Sequence, residues 1–249
     1  MANRSISRST VLLAVLVVAM PGMRAEERVR EASNLADLTA PAAPGICTDR
    51  LSPKQLRVWK AIEAIVFAKD ASGRLNHPKL HSLWRQIEIG GNVVRVELPD
   101  PKARCDHQAG KFMVEKPGID GQKHTAVIRL CLAIIDGALV TQRARGSDGF
   151  IRFEGLGKEE RYAEILAHEL AHAVWTLGDQ SHARLIEDLN REVEEFDRCR
   201  RRAAHGTAWD EQARQHLRRI ESLVTEIERP ADMAEAEVWK ELLESRGKH

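Results

Sequence analysis

The chain has no excess of charge of either sign, no CxxC pair, no apolar run long enough to cross a bilayer and few aromatic residues. Each absence narrows the reading. Lysine and arginine number 38 against 37 aspartate and glutamate; without the three arginines of the first 25 residues the balance is 35 to 37. A near-neutral surface carries no basic field to attract nucleic acid, so no nucleic-acid partner is expected. Aromatics make up 4% of the residues, with Tyr162 the one tyrosine. The main apolar run near the start, Val11 to Met20, holds ten residues, too few to span a membrane comfortably. It follows Arg4 and Arg8 and precedes Pro21 and Gly22, the pattern of a secretory signal with cleavage after Ala25. Met23 is larger than the residue usual before such a cut, so a neighbouring cut or a retained anchor stays open. The expected location is secreted or periplasmic, with no stable membrane insertion after cleavage.

Cys47, Cys105, Cys131 and Cys199 lack the spacing of a zinc knuckle or a redox motif. As an even set in an exported chain they point to two disulfides, Cys105 with Cys131 and Cys47 with Cys199, the alternative being four buried free thiols. With 249 residues, 43% hydrophobic and 30% charged, the rest of the chain fits one soluble globular domain.

Residues 26–46 hold "TAPAAPG" and read as a leader or linker, so the domain is expected over 47–249. Ser52 as cap and Pro53 in the first turn start a helix with Leu56, Trp59, Ile62 and Val66 at helical spacing, ended by Ser72 and Gly73. "NVVRVELP" (92–99) alternates like a strand, and 124–136 is a longer apolar run that suits a strand or a strand plus turn. From Lys158 the pattern is helical: 158–177, stopped by Gly178; 181–202 and 207–228, charge-rich helices parted near Gly206; and a last helix opened by Pro230. The charged pair reads as a solvated hairpin with a narrow apolar seam, Leu185, Leu189, Val193 and Phe196 facing Leu217, Ile220, Leu223 and Ile227; its functional reading is a substrate lid or partner surface.

Within the helix at 158–177 lies "HELAH". His168 and His172, four apart, stand one turn above each other, so both imidazoles can reach one metal ion. Glu169 is rotated about 100° from His168, close enough to reach a water on that ion without ligating it. Zinc held by three protein ligands leaves a position for water and lowers its pKa to about 7, and a nearby glutamate can take the proton and return it to a leaving amine. The surrounding Ile165, Leu166, Leu170, Ala173 and Val174 set this face against a core, where unpaired charge is costly and metal binding resolves the conflict.

The motif in that setting resembles the zincin metallopeptidases. The resemblance covers five residues and their context. It implies an α+β fold, a small sheet followed by a mostly helical half that supplies the third ligand. It also implies hydrolysis of peptide or protein substrates by a zinc-dependent peptidase, with the strand nearest the cleft, near 124–134, pairing with extended substrate. The metzincin spacing fails, since Trp175 and Gly178 stand where that pattern needs glycine and a ligand. Asp179 and His182 remain candidates, although Gly178 should turn the chain away. A gluzincin-like glutamate from a later helix fits better. Glu235 falls near the middle of the stripe Ala231, Ala234, Val238 and Leu242, whereas Glu237, Glu241 and Glu244 fall outside it. Glu228 is the rival, because "ERPAD" resembles the ExxAD of one gluzincin branch, with Asp232 holding a ligand histidine; Pro230 speaks against it by breaking the helix. The expected site is therefore zinc on His168, His172 and Glu235, with Glu169 catalytic. Tyr162 is either an oxyanion donor or packing. The alternative function is a non-catalytic zinc-binding or protein-interaction domain that retains the HExxH helix.

Overall fold

The computed structural model describes residues 45–99, 109–116, 125–141, 155–203 and 210–246. The expected signal and most of the expected leader, and the segment containing Cys105, lie outside the described residues. Within them the fold is mixed α and β, a small four-stranded sheet and a mostly helical C-terminal half. No described helix is long and apolar enough to cross a membrane.

β1 (Gly45–Cys47) leads to α1 (Pro53–Val66). The start of α1 follows from its first residues: the Ser52 hydroxyl accepts from the Gln55 N–H, the Gln55 side chain accepts from the Ser52 N–H, and Pro53 occupies a position where no N–H is needed. The helix ends at Val66, earlier than Ser72 and Gly73 would place it. Asp70 draws the following residues into a tight turn, its carboxylate accepting from the Ser72 hydroxyl and N–H and the Arg74 N–H, and Lys69 bridges to Leu75 across it. α2 (Pro78–Ile89) has no counterpart among the expected elements, although Leu80, Leu83, Trp84 and Ile87 recur at helical spacing and are all buried.

β2 (Val93–Glu97), β3 (Gly110–Lys116) and β4 (Thr125–Leu130) complete the sheet in the order β1-β2-β4-β3. β1, β2 and β4 run parallel and β3 is antiparallel to β4. The apolar run at 124–136 divides: the strand stops at Leu130, and after Cys131 the chain turns into α3 (Leu132–Thr141). β4 therefore lies inside the sheet with both sides paired, so it has no free edge for a substrate strand. Among the described residues β3 is the edge beyond it.

α4 (Lys158–Gly178) packs on β3 and β4 on one side and is covered by α1, α2 and the last helix. Ala163, Ala167, Ala171 and Ala173 are fully buried along it, and these small side chains let the sheet and helices approach closely. α5 (Gln180–Ala203) and α6 (Asp210–Arg246) form the charged hairpin, whose seam joins Leu189 to Ile220, Leu223, Val224 and Ile227, with Leu185, Val193 and Phe196 against it. α6 is one helix of 37 residues that runs through Pro230, where a break was expected. Proline removes one backbone hydrogen bond, a cost of about 3 kcal/mol. Helix continues because α6 is anchored on both sides of Pro230: the hairpin seam precedes it, and Ala231, Ala234, Val238 and Leu242 enter the main core after it. Each fully buried Leu, Val or Ile contributes about 1.5–3 kcal/mol, so together they outweigh the missing bond.

Polar contacts fix the far end of α6. Glu241 accepts from the Lys79 N–H at the start of α2, Glu237 pairs with the Lys79 ammonium at 2.7 Å, and Arg246 bonds Glu160 in the first turn of α4. Glu241 thus docks on α2, while Glu237 stays exposed on the outer face as expected. Cys47 and Cys199 are not bonded to each other, so the expected bridge between them is not formed. The reason is placement: Cys47 is on the edge strand β1 and Cys199 is buried in the α5 hairpin arm. The other expected pair includes Cys105, outside the described residues.

Candidate metal centre

α4 carries His168, which is half-buried, and His172 and Glu169, which are buried. α6 crosses them with Glu228, Asp232 and Glu235, spaced four and three residues apart and therefore on one helical face. His168 Nε2 and His172 Nε2 are 3.1 Å apart, and Glu228 Oε2 lies 3.2 Å from the first and 3.3 Å from the second. These atoms form a nearly equilateral triangle. Ligands of a tetrahedral zinc at about 2.0–2.1 Å stand about 3.3–3.4 Å from one another, so the triangle has the dimensions of three ligand atoms around one small ion.

The remaining contacts engage the other nitrogen of His168. Glu235 Oε2 lies 2.9 Å from His168 Nδ1, with Asp232 Oδ1 at 3.8 Å. A carboxylate accepts only, so His168 Nδ1 donates to Glu235, and Nε2, once it gives up its own proton, has a lone pair facing His172 and Glu228. Three acceptor atoms then face one point. A cation there satisfies all three, and the residues present fit a divalent metal.

Burial works against a charged His168, yet the carboxylates of Glu228 and Glu235 outweigh it and raise its pKa well above the ordinary imidazole value. Burial likewise opposes ionised Glu228, and the two histidines more than reverse this and hold its pKa low. Glu169 and Asp232 are pushed up by burial, with the positive field of the histidines opposing. Four acids surround two imidazoles, an arrangement that calls for positive charge between them.

The structure thus brings His168, Glu169 and His172 together on α4, and it places Glu235 on the Nδ1 side of His168, where with Asp232 it forms a second group of potential metal ligands. The Glu235 carboxylate meets the opposite nitrogen of His168 and not the Nε2 pair, because the ring stands between Glu228 on one side and Glu235 on the other. Glu228, the rival, reaches the pair because Pro230 does not end its helix. Asp179 turns away: its carboxylate accepts from the Ser181 N–H and hydroxyl, each at 2.7 Å. His182 is buried near His172 but outside the triangle; burial lowers its pKa. The Tyr162 hydroxyl donates to Asp136 at 2.7 Å, and burial raises its pKa to about 12, so it serves packing on the side of α3.

One residue of the site has no mark in the sequence. Gly110 opens β3, and a methyl group built on it would stand 2.4 Å from Glu169 Oε1, 2.9 Å from Glu169 Cδ and 2.7 Å from Ile165 Cγ2. Only glycine lets the Glu169 carboxylate lie against the edge strand.

No protein-family model, curated protein or solved structure matches this chain. The reading of the centre therefore rests on its own geometry. His168, His172 and Glu228 form one group, and His168, Asp232 and Glu235 another, that could hold a metal ion. Glu235 and Asp232 stand behind His168, and Glu169 lies against Gly110 of β3.

Proposed function

We propose that the chain is an exported zinc-dependent metallopeptidase of zincin-like fold, with the gluzincin arrangement of His168, His172 and Glu228. The observation that carries this reading is the 3.1–3.3 Å triangle of two imidazole nitrogens and one carboxylate oxygen beside a buried glutamate. A divalent ion bound there supplies a Lewis acid for a peptide carbonyl and a lower pKa for water. The other roles belong to the chain. Glu235 accepts the Nδ1 hydrogen of His168, and with Asp232 it fixes the tautomer and aim of that ring. Glu169 takes a proton from the attacking water and returns it to the leaving nitrogen; its pKa, raised by burial, brings it nearer to neutral pH, where such a base works best. An extended peptide adds to the outer edge of β3, which is unpaired among the described residues and whose first residue lies against Glu169, and its main chain then runs past the base.

The test compares wild type with Glu169→Gln on a mixed peptide library read by mass spectrometry. Wild type is expected to cleave, to stop on treatment with a chelator and to recover with zinc. Glu169→Gln is expected to retain the metal and lose cleavage by two to four orders of magnitude. Metal retention with no cleavage by wild type would leave the non-catalytic metal-binding alternative in its place.

A further inference from the structure

A pocket of about 370 Å³ opens at the carboxyl ends of the parallel strands, and none of its lining residues belongs to α4 or α6. The unequal lengths of β1 and β2 produce it. β1 pairs with β2 only as far as Cys47 beside Arg95, and the chain then turns toward α1, the Leu51 N–H donating to the Thr48 carbonyl. β2 continues through Val96 and Glu97 with no partner on that side among the described residues. The notch so formed is lined by Arg50, Leu51 and Gln55 from the entry to α1, by residues 96–99 from the end of β2, and by Arg129 from the end of β4. Open sheets commonly hold ligands in crevices beyond the carboxyl ends of their parallel strands.

Two guanidinium groups, Arg50 and Arg129, line the pocket with one carboxylate, Glu97, which leaves a surplus of one positive charge. Arg129 Nε and Nη2 donate to Glu97 Oε2 at 2.9 and 2.8 Å, fixing the plane of that guanidinium while its other N–H groups stay outside the pair. Arg50 has no ion pair among the described residues. Gln55 is engaged at both ends: its oxygen accepts from the Ser52 N–H and its nitrogen donates to the Leu98 carbonyl, tying the start of α1 to the strand end. Leu51 and Pro99, both half-buried, add apolar surface.

We propose that this pocket binds a small monocarboxylate bearing an apolar group, such as the C-terminal residue of a peptide, with its carboxylate held by Arg50 and Arg129 and its side chain against Leu51 and Pro99. Charge complementarity selects the class. A monoanion neutralises the surplus charge, a planar carboxylate matches the fork of a guanidinium, and the apolar lining favours such a ligand over a bare inorganic anion. The inference does not depend on the metal centre.

The test titrates the full chain with N-acetyl-L-leucine, N-acetyl-L-leucinamide and inorganic phosphate, read from the NMR shifts of the leucine methyl groups, and repeats the titrations on Arg50→Gln. Arg50 is exposed, so the variant is expected to keep the Tm of wild type. The expected result is saturable binding of N-acetyl-L-leucine with shifts at Leu51 and Leu98, and binding at least about tenfold weaker for the amide and for phosphate. Arg50→Gln is expected to weaken N-acetyl-L-leucine about tenfold, the usual worth of one bond to a charged group. No saturable binding by wild type, or amide or phosphate bound as tightly as N-acetyl-L-leucine, would overturn the inference. Equal affinity in wild type and Arg50→Gln would also overturn it, by placing the carboxylate away from this pocket, the metal centre included. None of these results bears on whether the two imidazoles and Glu228 hold a metal, so the two proposals fail separately.

Discussion

Gly110→Ala tests the geometry of Glu169 without touching a titratable group. A methyl group at that position would lie 2.4 Å from Glu169 Oε1 and 2.7 Å from Ile165 Cγ2, where ordinary contact needs at least about 3.4 Å. The carboxylate must retreat by about 1 Å. It has little room, since Glu169 is 6% exposed, and Ile165, pressed from the same side, is 3% exposed. Misplacing a catalytic group by about 1 Å costs on the order of 10²-fold in rate, and overpacking of this size costs about 1–3 kcal/mol of stability. The expected result for Gly110→Ala is a fall of about 10²-fold in kcat on the peptide library, a Tm lowered by several degrees and unchanged zinc content, because none of the triangle atoms is touched. Rate, thermal unfolding and metal content are measured on one preparation. Full activity in Gly110→Ala would refute the claim that β3 holds Glu169 in place, and loss of zinc with the rate would mean that the glycine supports the metal ligands.

Glu228→Gln and Glu235→Gln should separate by metal affinity: losing a direct ligand is expected to weaken zinc binding by more than 10²-fold, and losing the partner of His168 Nδ1 by about 10- to 100-fold, as isothermal titration would measure. The reverse order would exchange the two roles. Asp70 gives a pH signature away from the site. The Ser72 hydroxyl, followed by the Ser72 and Arg74 N–H groups, lowers its pKa to about 2. Since the folded value lies below the ordinary one near 4, its stabilisation is present above pH 4 and is lost as pH falls from there to 2. Asp70→Asn should therefore narrow the stability difference between pH 5 and pH 2, and an NMR titration should find the Asp70 carboxylate still ionised at pH 3; a midpoint near 4 would contradict the hydrogen-bonded turn.

What could be read in the sequence was local. Ser52, Pro53 and Gln55 start α1 through contacts three residues apart, and His168, Glu169 and His172 share a helix face by spacing alone. Glu228, Asp232 and Glu235 also share a face by the same arithmetic, but only if Pro230 sits within a helix. The local preference of proline pointed the other way, and the cores gripping α6 on both sides override it. Glu235 was readable as an acid in an apolar stripe needing a partner; that its partner is the Nδ1 side of His168 depends on how α4 and α6 cross, which no single-helix pattern contains. β3 was missed because "GKFMVEK" lacks a clean alternation, and its edge position, as well as the closeness of Gly110 to Glu169, follows from pairing with β4. The stripe of α2 was there to be read.

The most direct test of the central claim is the anomalous scattering of a crystal of the zinc-loaded chain, recorded on both sides of the zinc absorption edge. The account predicts one peak about 2.0–2.2 Å from His168 Nε2, His172 Nε2 and a Glu228 oxygen, with Glu235 retaining its bond to His168 Nδ1. A peak centred between His168 Nδ1, Asp232 and Glu235, or no peak near the two histidines, would contradict it.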